Sequence, residues 1–183
     1  DLLGMASLIA GVRRELPHDR FPHLFLVAGG PHTTALPRSS LEIGFDYAVV
    51  GEGEDAFPEL LWALASRRSA AGEPARGIRG VAYRTAGGSL VRQGRTRPVS
   101  LERYPPFSTR FRRQGPIEIT RGCPHRCRFC AAPFLAGRRP RHLPLPDVLR
   151  AVEQCLAHGV DQIRFIAPNA FGYGSASHEP RID

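Results

Sequence analysis

Three cysteines within eight residues constrain the fold of this chain more than any other feature. Cys123, Cys127 and Cys130 form a C-x3-C-x2-C run directly after a short apolar segment at residues 116–120. Three thiols crowded into one loop, in a chain without a signal-peptide pattern, favour a metal site over disulfides. The run therefore predicts a metal-binding loop at the end of a β-strand, in a reducing compartment such as the cytoplasm.

The spacing favours an iron–sulfur cluster. Cysteine thiolates hold the irons of a [4Fe–4S] cubane, so three cysteines ligate three irons and leave the fourth open to a substrate or cofactor. The remaining cysteine, Cys155, lies far along the chain in a predicted helix, where it is expected to belong to the core. A Cys3His zinc site that recruits His125 or His142 is the alternative, although zinc sites usually combine two separated ligand pairs.

The first part of the chain predicts an open α/β sheet. Apolar segments at 23–30 and 46–50 end in glycine-rich turns and are separated by a short helical segment at 36–43. Strands that are apolar on both faces and joined by a helical crossover lie parallel and buried. Ligands bind such sheets at the carboxyl ends of the strands, where Gly29 and Gly30 fall.

Composition changes along the rest of the chain. Residues 67–115 are rich in Gly, Arg, Pro and Ser, and two short alternating runs around Gly87 and Gly88 predict a β-hairpin there. Later residues predict a strand, a long loop, a helix at 145–158 and a further strand at 163–166. We therefore expect an α/β domain at 1–66, a hairpin linker at 67–115 and a second domain at 116–183. Trp62, in a predicted helix of the first domain, is expected in the core.

Positive charge is concentrated around the cysteines. The net charge is +8, every basic residue is arginine, and residues 110–141 contain nine arginines and a single acid, Glu118. This surplus can offset thiolates, sulfides and an anionic substrate, or it can bind nucleic acid. Arg138, Arg139 and Arg141 are candidates for contact with an anion or for a solvated basic loop.

The strand followed by RGCPHRCRFC resembles the signature of the radical S-adenosylmethionine (SAM) superfamily. The resemblance implies that Cys123, Cys127 and Cys130 hold a [4Fe–4S] cluster whose open iron chelates SAM. One electron from an external reductant then cleaves SAM to methionine and a 5′-deoxyadenosyl radical, which abstracts hydrogen from a substrate. The resemblance also implies Phe129 near the adenine, and Asn169 as a SAM contact where family members carry a Gly-Gly-Glu stretch.

The N-terminal part is similar to the second half of cobalamin-binding domains, through VAGGPHTTALP at 27–37 and VVGEGEDAFPELL at 49–61. In that family the glycine pair lines the groove for the nucleotide tail, which implies Gly29 and Gly30 as cobalamin contacts. The cobalt-ligating Asp-x-His-x-x-Gly motif is expected upstream of Asp1, so His32 is predicted to be a turn residue.

Together, these resemblances imply an α/β fold in three parts. The first is the C-terminal part of a Rossmann-like, cobalamin-binding-type open parallel sheet. A hairpin linker and the first βα units of a radical SAM partial TIM barrel follow. We expect a segment that is truncated at both ends, has exposed sheet edges and is inactive by itself.

The sequence predicts a radical SAM enzyme that uses a [4Fe–4S] cluster and SAM, with cobalamin as a candidate third cofactor. Hydrogen abstraction or cobalamin-assisted methyl transfer is the expected chemistry, on a small molecule or on a substrate of unknown class, with nucleic acid as a less favoured partner. One alternative is a zinc module that binds nucleic acid, and another is a radical SAM enzyme that modifies RNA. No catalytic residue is assigned, and no apolar run approaches the roughly 18 residues of a membrane span.

Overall fold

The computed structural model describes residues 2–66, 73–108, 110–111 and 114–175. The chain divides into two compact units, Asp1–Arg97 and Pro98–Asp183. The first contains α1 Leu2–Glu15, β1 Val27–Ala28, α2 Gly30–Ala35, α3 Pro37–Glu42, β2 Tyr47–Val49, α4 Gly53–Ala65, β3 Val81–Arg84 and β4 Leu90–Arg92. The second contains β5 Ile117–Glu118, β6 Thr120–Arg121, α5 Ala132–Ala136, β7 Arg141–His142, α6 Leu145–Ala157 and β8 Phe165–Ile166, with 3₁₀ turns at Leu101–Arg103 and Ala170–Gly172.

The sheet of the first unit has the order β1-β2-β3-β4. Strands β1 and β2 pair in parallel, with Val27 opposite Tyr47, as the helical crossover between them predicts. The predicted hairpin forms as β3 and β4, and β3 also pairs antiparallel with β2. The hairpin therefore extends the sheet of the first unit, and the domain boundaries drawn from the sequence stay a prediction.

Helix α4 covers one face of this sheet. Ala56, Leu60 and Ala63 follow one another at helical spacing and are buried, with Leu60 completely inaccessible to solvent. Trp62 lies two positions beyond Leu60, about 200° around the helix, and it is 56% exposed. The expectation that Trp62 belongs to the core is therefore wrong, because the aromatic ring is on the face that points away from the sheet.

The buried Tyr47 gives the stability of the first unit a dependence on alkaline pH. Burial, with a smaller contribution from the Asp46 carboxylate, raises the pKa of Tyr47 to about 12 from its ordinary 10.0. As the pH rises, the unfolded chain loses the Tyr47 proton before the folded chain does. The contribution of Tyr47 to the free energy of unfolding is therefore fully present below pH 10 and is lost as the pH rises towards 12. Urea unfolding across this range should show the fall, and Tyr47→Phe should remove about 2 kcal/mol of it. An unchanged slope in the variant would contradict this assignment.

The second unit contains one βα arrangement of the predicted kind. Strands β5 and β8 pair in parallel, with Ile117 opposite Phe165, and α6 lies between them in the chain. Val148, Ala151 and Cys155 are buried on one face of α6, which confirms the core position expected for Cys155. Phe165 is 50% exposed and Ile166 is 46% exposed, so β8 presents apolar side chains to solvent as expected for an open sheet.

A second ladder in this unit was not predicted. Strands β6 and β7 pair antiparallel, with Thr120 opposite His142 and Arg121 opposite Arg141. Each strand has only two residues, which is too short for a hydrophobic alternation to be recognised in the sequence. Within the described residues, no helix combines the length and the apolar character needed to cross a membrane.

Candidate functional site

The cysteine loop is closed at its base by backbone hydrogen bonds. It leaves β6 and returns through β7, and these two strands pair along both of their residues. One step into the loop, the backbone N–H of Cys123 donates to the carbonyl oxygen of Gly137 at 3.1 Å. The residues between these strands therefore form a loop with a fixed entrance, and Cys123 lies at that entrance.

Gly122 makes this close approach possible. Its φ is +90°, in the left-handed region that favours glycine. A Cβ at this position would lie 2.5 Å from the carbonyl oxygen of Arg139 and 3.3 Å from that of Gly137. Only glycine lets the chain turn out of β6 while the returning backbone passes directly against it.

The three cysteines of the loop differ in exposure. Cys123 is buried, with 7% of its surface exposed, whereas Cys127 and Cys130 are exposed. The N–H of Cys130 donates to the carbonyl oxygen of Cys127 at 3.1 Å, which folds this part of the loop into a turn before α5. Among the described residues, no group of three potential metal ligands is drawn together.

The donor set of the loop suits an iron–sulfur cluster better than zinc. Three thiols on one loop can hold three irons of a cubane and leave one iron open. A Cys3His zinc site could recruit His125, which is exposed on the same loop, but zinc sites usually combine two separated ligand pairs, which this loop lacks. The assignment of the three cysteines as metal ligands stays a prediction, with chemistry that fits the residues present.

The arginines around the loop have two kinds of surroundings. Arg141 donates to the carbonyl oxygens of Val99 at 2.6 Å and Ala136 at 2.9 Å, so it braces backbone rather than offering charge to an anion. Arg121 forms a 2.6 Å ion pair with Glu118. By contrast, Arg126, Arg128 and Arg139 are exposed and form no ion pair within the described part of the chain. Among the arginines that the structure describes, these three can meet an anionic partner, as can the exposed Arg138, which donates to the carbonyl oxygen of Pro124 at 3.2 Å.

The two predicted SAM contacts lie on separate segments of the second unit. Phe129 is on the cysteine loop and is 92% exposed. Asn169 follows β8 and begins the 3₁₀ turn Ala170–Gly172, where its carbonyl oxygen accepts from the N–H of Gly172 at 3.3 Å. Since β5 and β8 are parallel neighbours, the cysteine loop and Asn169 both follow the carboxyl ends of strands in this unit. Ligands of parallel sheets bind at this edge.

Gly29 and Gly30 lie in a groove of the first unit. The groove has a volume of about 510 Å³ and is found where β1 and β2 end. Its lining residues are Val27, Ala28, Gly29, Gly30, Val49, Gly51, Gly53, Glu54, Phe57 and Pro58. A Cβ on Gly29 or Gly30 would meet no atom within 4 Å, so no neighbouring atom requires glycine at either position. The absence of side chains at both positions leaves the groove wide. An open, largely apolar groove of this kind fits an extended cofactor tail.

His32 has a local role beside this groove. It lies in α2 rather than in a turn, and its Nε2 pairs with the hydroxyl of Ser39 at 2.8 Å. The prediction of a turn residue is therefore corrected to a helical one. The helix starts directly at the glycine pair, because Pro31 favours the first turn of a helix and Gly29 is extended before it.

Two threonines that were not identified from the sequence fix the turn at Gly51 and Glu52, which borders the groove. The hydroxyl of Thr34 accepts from the N–H of Gly51 at 3.0 Å. The hydroxyl of Thr96 accepts from the N–H of Glu52 at 2.7 Å. Thr96 is distant in sequence, in the region assigned to the linker, so no local pattern could have identified it.

Removing the Thr96 hydroxyl should loosen the groove. Thr96→Val keeps the shape of the side chain but removes the hydrogen bond between the Thr96 hydroxyl and the N–H of Glu52, which should cost about 1–2 kcal/mol of unfolding free energy. Urea unfolding of the variant measures the loss. Thr85→Val is the matched control, because the Thr85 hydroxyl accepts from Ser89 in an exposed turn at 3.2 Å. Equal losses in both variants would contradict a special role for Thr96.

Comparison with known proteins agrees with both units. Residues 5–61 match the B12 binding domain family, and residues 117–175 match the radical SAM superfamily. The chain therefore carries a B12-binding-type domain followed by a radical SAM domain. These matches confirm the predicted pair of domains and the predicted α/β fold.

Two solved structures share this fold. The radical SAM methyltransferase TsrM from Kitasatospora setae aligns with 97% of the chain at a TM-score of 0.66 and 24% identity, over 34% of its own length. The cobalamin-dependent radical SAM enzyme OxsB aligns with 96% of the chain at a TM-score of 0.68 and 18% identity, over 25% of its own length. The structures of TsrM and OxsB contain cobalamin, with a [4Fe–4S] cluster in TsrM and SAM in OxsB, the three cofactors predicted from the sequence.

Curated relatives match different lengths of the chain. An uncharacterized methyltransferase of Pyrococcus horikoshii is 29% identical over 79% of the chain and 33% of its own length. The ribosomal protein uS12 methylthiotransferase RimO of Sorangium cellulosum is 43% identical, but only over 58 residues, or 32% of the chain and 12% of its own length. The chain thus spans a third or less of each of these relatives.

Proposed function

We propose that this chain is part of a radical SAM enzyme that transfers a methyl group with the help of cobalamin. The observation that carries the proposal is that one chain contains two sheets, each with a candidate ligand site at the carboxyl ends of its strands. One is the three-cysteine loop at the strand ends of the second unit, and the other is the glycine-lined groove at the strand ends of the first. The substrate remains to be identified.

The residues of the second unit would each have a distinct task. Cys123, Cys127 and Cys130 would hold three irons of a [4Fe–4S] cluster, with Cys123 already fixed through its N–H. When bound, the cluster supplies the electron that cleaves SAM. Phe129, exposed on the same loop, would pack against the adenine, and Asn169 would offer its amide to the amino acid part of SAM.

The groove of the first unit would hold the nucleotide tail of cobalamin. Gly29 and Gly30 leave room on one side, and the turn at Gly51, fixed by Thr34, borders the other. Both walls come from the ends of parallel strands, which is where cofactors bind sheets of this type. The exposed Phe57, 40% accessible, adds an apolar surface to the groove.

The alternatives receive less support. A zinc module could use His125, which is exposed on the loop, but the loop lacks the two separated ligand pairs that are usual in zinc sites. An RNA substrate is suggested by a tRNA-2-methylthio-N(6)-dimethylallyladenosine synthase of Pseudothermotoga lettingae, but the likeness is limited to 58 residues. A small molecule therefore stays the preferred substrate class. An external one-electron reductant and a cytoplasmic location remain predictions from the sequence.

Anaerobic reconstitution of the complete protein tests the proposal. We expect about four irons per chain, an absorbance change on binding of hydroxocobalamin, and release of methionine or 5′-deoxyadenosine from SAM after reduction. Stoichiometric zinc without iron, together with RNA binding that weakens steeply with salt, would contradict the proposal and favour the zinc module.

A further inference from the structure

Two hydrogen bonds and one aromatic ring contact join β6, β7 and the turn after β8. The hydroxyl of Thr120 pairs with Nδ1 of His142 at 2.9 Å. The ring of His142 meets the ring of Tyr173 edge to face, with the ring centroids 5.5 Å apart and the planes at 79°. The hydroxyl of Tyr173 then donates to the carbonyl oxygen of Leu143 at 2.7 Å. Tyr173 therefore contacts two adjacent residues, His142 through its ring and Leu143 through its hydroxyl.

These contacts connect the two segments that carry the predicted SAM contacts. Thr120 and His142 face each other across the base of the cysteine loop, where the loop leaves and returns. Tyr173 closes the 3₁₀ turn that begins at Asn169, since its N–H donates to Ala170 at 3.2 Å. A displacement of the turn relative to the loop must therefore break either the ring contact or the bond to Leu143.

The two hydrogen bonds, Thr120–His142 and Tyr173–Leu143, are unexpected if these residues only fill space. Thr120 is only 3% exposed, and apolar residues of the same shape would fill such a place without the cost of burying a hydroxyl. A hydrogen bond restricts geometry more than an apolar contact does, and here the hydrogen bonds Thr120–His142 and Tyr173–Leu143 lie on either side of the ring contact. The arrangement thus specifies one relative position of the loop and the turn.

We propose that Thr120, His142 and Tyr173 are positioning residues that hold the turn of Asn169 at a set distance from the cysteine loop and thereby set the affinity for SAM. This inference rests on the proposed function, because it requires a cluster on the loop. It assigns a role to three residues that are neither metal ligands nor SAM contacts. Their removal should weaken SAM binding while the cluster remains.

The test uses the complete protein with its cluster reconstituted and kept oxidised, so that SAM binds without being cleaved. Thr120→Val and His142→Phe each remove the hydrogen bond and keep the shape, and Tyr173→Phe removes only the bond to Leu143. We expect full iron content and a dissociation constant for SAM raised about five- to tenfold in each variant, measured by equilibrium dialysis. After reduction, the change that SAM causes in the electron paramagnetic resonance spectrum should shrink at a fixed SAM concentration.

Two further variants serve as controls. Thr120→Ser restores the hydroxyl and should recover the affinity of the wild-type protein. His158→Phe alters a histidine whose Nδ1 contacts only its own helix, at Gln154, and should leave the affinity unchanged. Together, the two controls distinguish loss of the contacts among Thr120, His142 and Tyr173 from a general disturbance of the second unit.

The outcomes separate this inference from the function on which it rests. Failure of the wild-type protein to take up iron would overturn the proposed function. Iron-loaded variants whose affinity for SAM stays within about twofold of the wild type would overturn the positioning role alone. Loss of iron in step with loss of SAM binding would also overturn it, because the residues would then serve assembly of the loop.

Discussion

Replacing Cys127 with serine is expected to reduce the iron content of the reconstituted protein from about four per chain to about one or less. Cys127 is one of only three thiols on the loop, so its loss leaves two of the predicted ligands. Serine keeps the size of the side chain and removes the thiolate. Iron analysis and the visible absorbance of the cluster measure the effect.

Cys155→Ala is the matched control for this variant. Cys155 is buried in α6, away from the loop in sequence, and its removal leaves the three predicted ligands intact. The truncation should cost some stability, because it opens a small cavity, but the iron content should persist. Retention of the cluster in Cys127→Ser, or its loss in Cys155→Ala with the protein still folded, would contradict the ligand assignment.

Gly122→Ala is expected to have the second large effect. A methyl group here would lie 2.5 Å from the carbonyl oxygen of Arg139, and the φ of +90° is itself unfavourable for alanine. The combined cost should be about 2–4 kcal/mol of unfolding free energy. The base of the loop would open, Cys123 would lose its bond to Gly137, and we expect most of the iron to be lost. Urea unfolding and iron analysis measure the two effects.

Gly137→Ala separates the clash from the backbone strain. Gly137 also has a positive φ, +84°, but a Cβ at this position would meet no atom within 4 Å. It should therefore cost only the backbone strain, about 1–3 kcal/mol, and retain the cluster. Equal effects of the two substitutions would show that close packing at Gly122 is unimportant.

Much of the fold was predictable because its elements carry strong local patterns. The buried β2 is apolar throughout, and α6 places Val148, Ala151 and Cys155 on one face. The pairing of β3 with β2 was missed, because a hairpin between two domains and a hairpin added to a sheet have the same local sequence. Trp62 was misassigned because composition favours aromatic residues in cores, whereas its angle on α4 decides the outcome.

The part of the candidate site that could be predicted is the part that depends on the spacing of residues along the sequence. The interval between the cysteines identified the loop and its family. Nothing in the sequence indicated that Arg141 braces the carbonyl groups of Val99 and Ala136, because these contacts depend on how the chain folds back on itself. The same holds for the pairing of Thr120 with His142 and for the approach of Thr96 to Glu52. The three-dimensional arrangement was needed to distinguish structural arginines from exposed ones.

The unequal exposure of the three loop cysteines gives cluster assembly a competitor. Cys127 and Cys130 meet solvent before any iron arrives, whereas Cys123 is shielded. An oxidant that reaches the newly made protein first would attack this exposed pair, and joining them would leave a single usable thiol on the loop. If the three cysteines hold the cluster, oxidation of this pair competes with the delivery of iron for the same thiols.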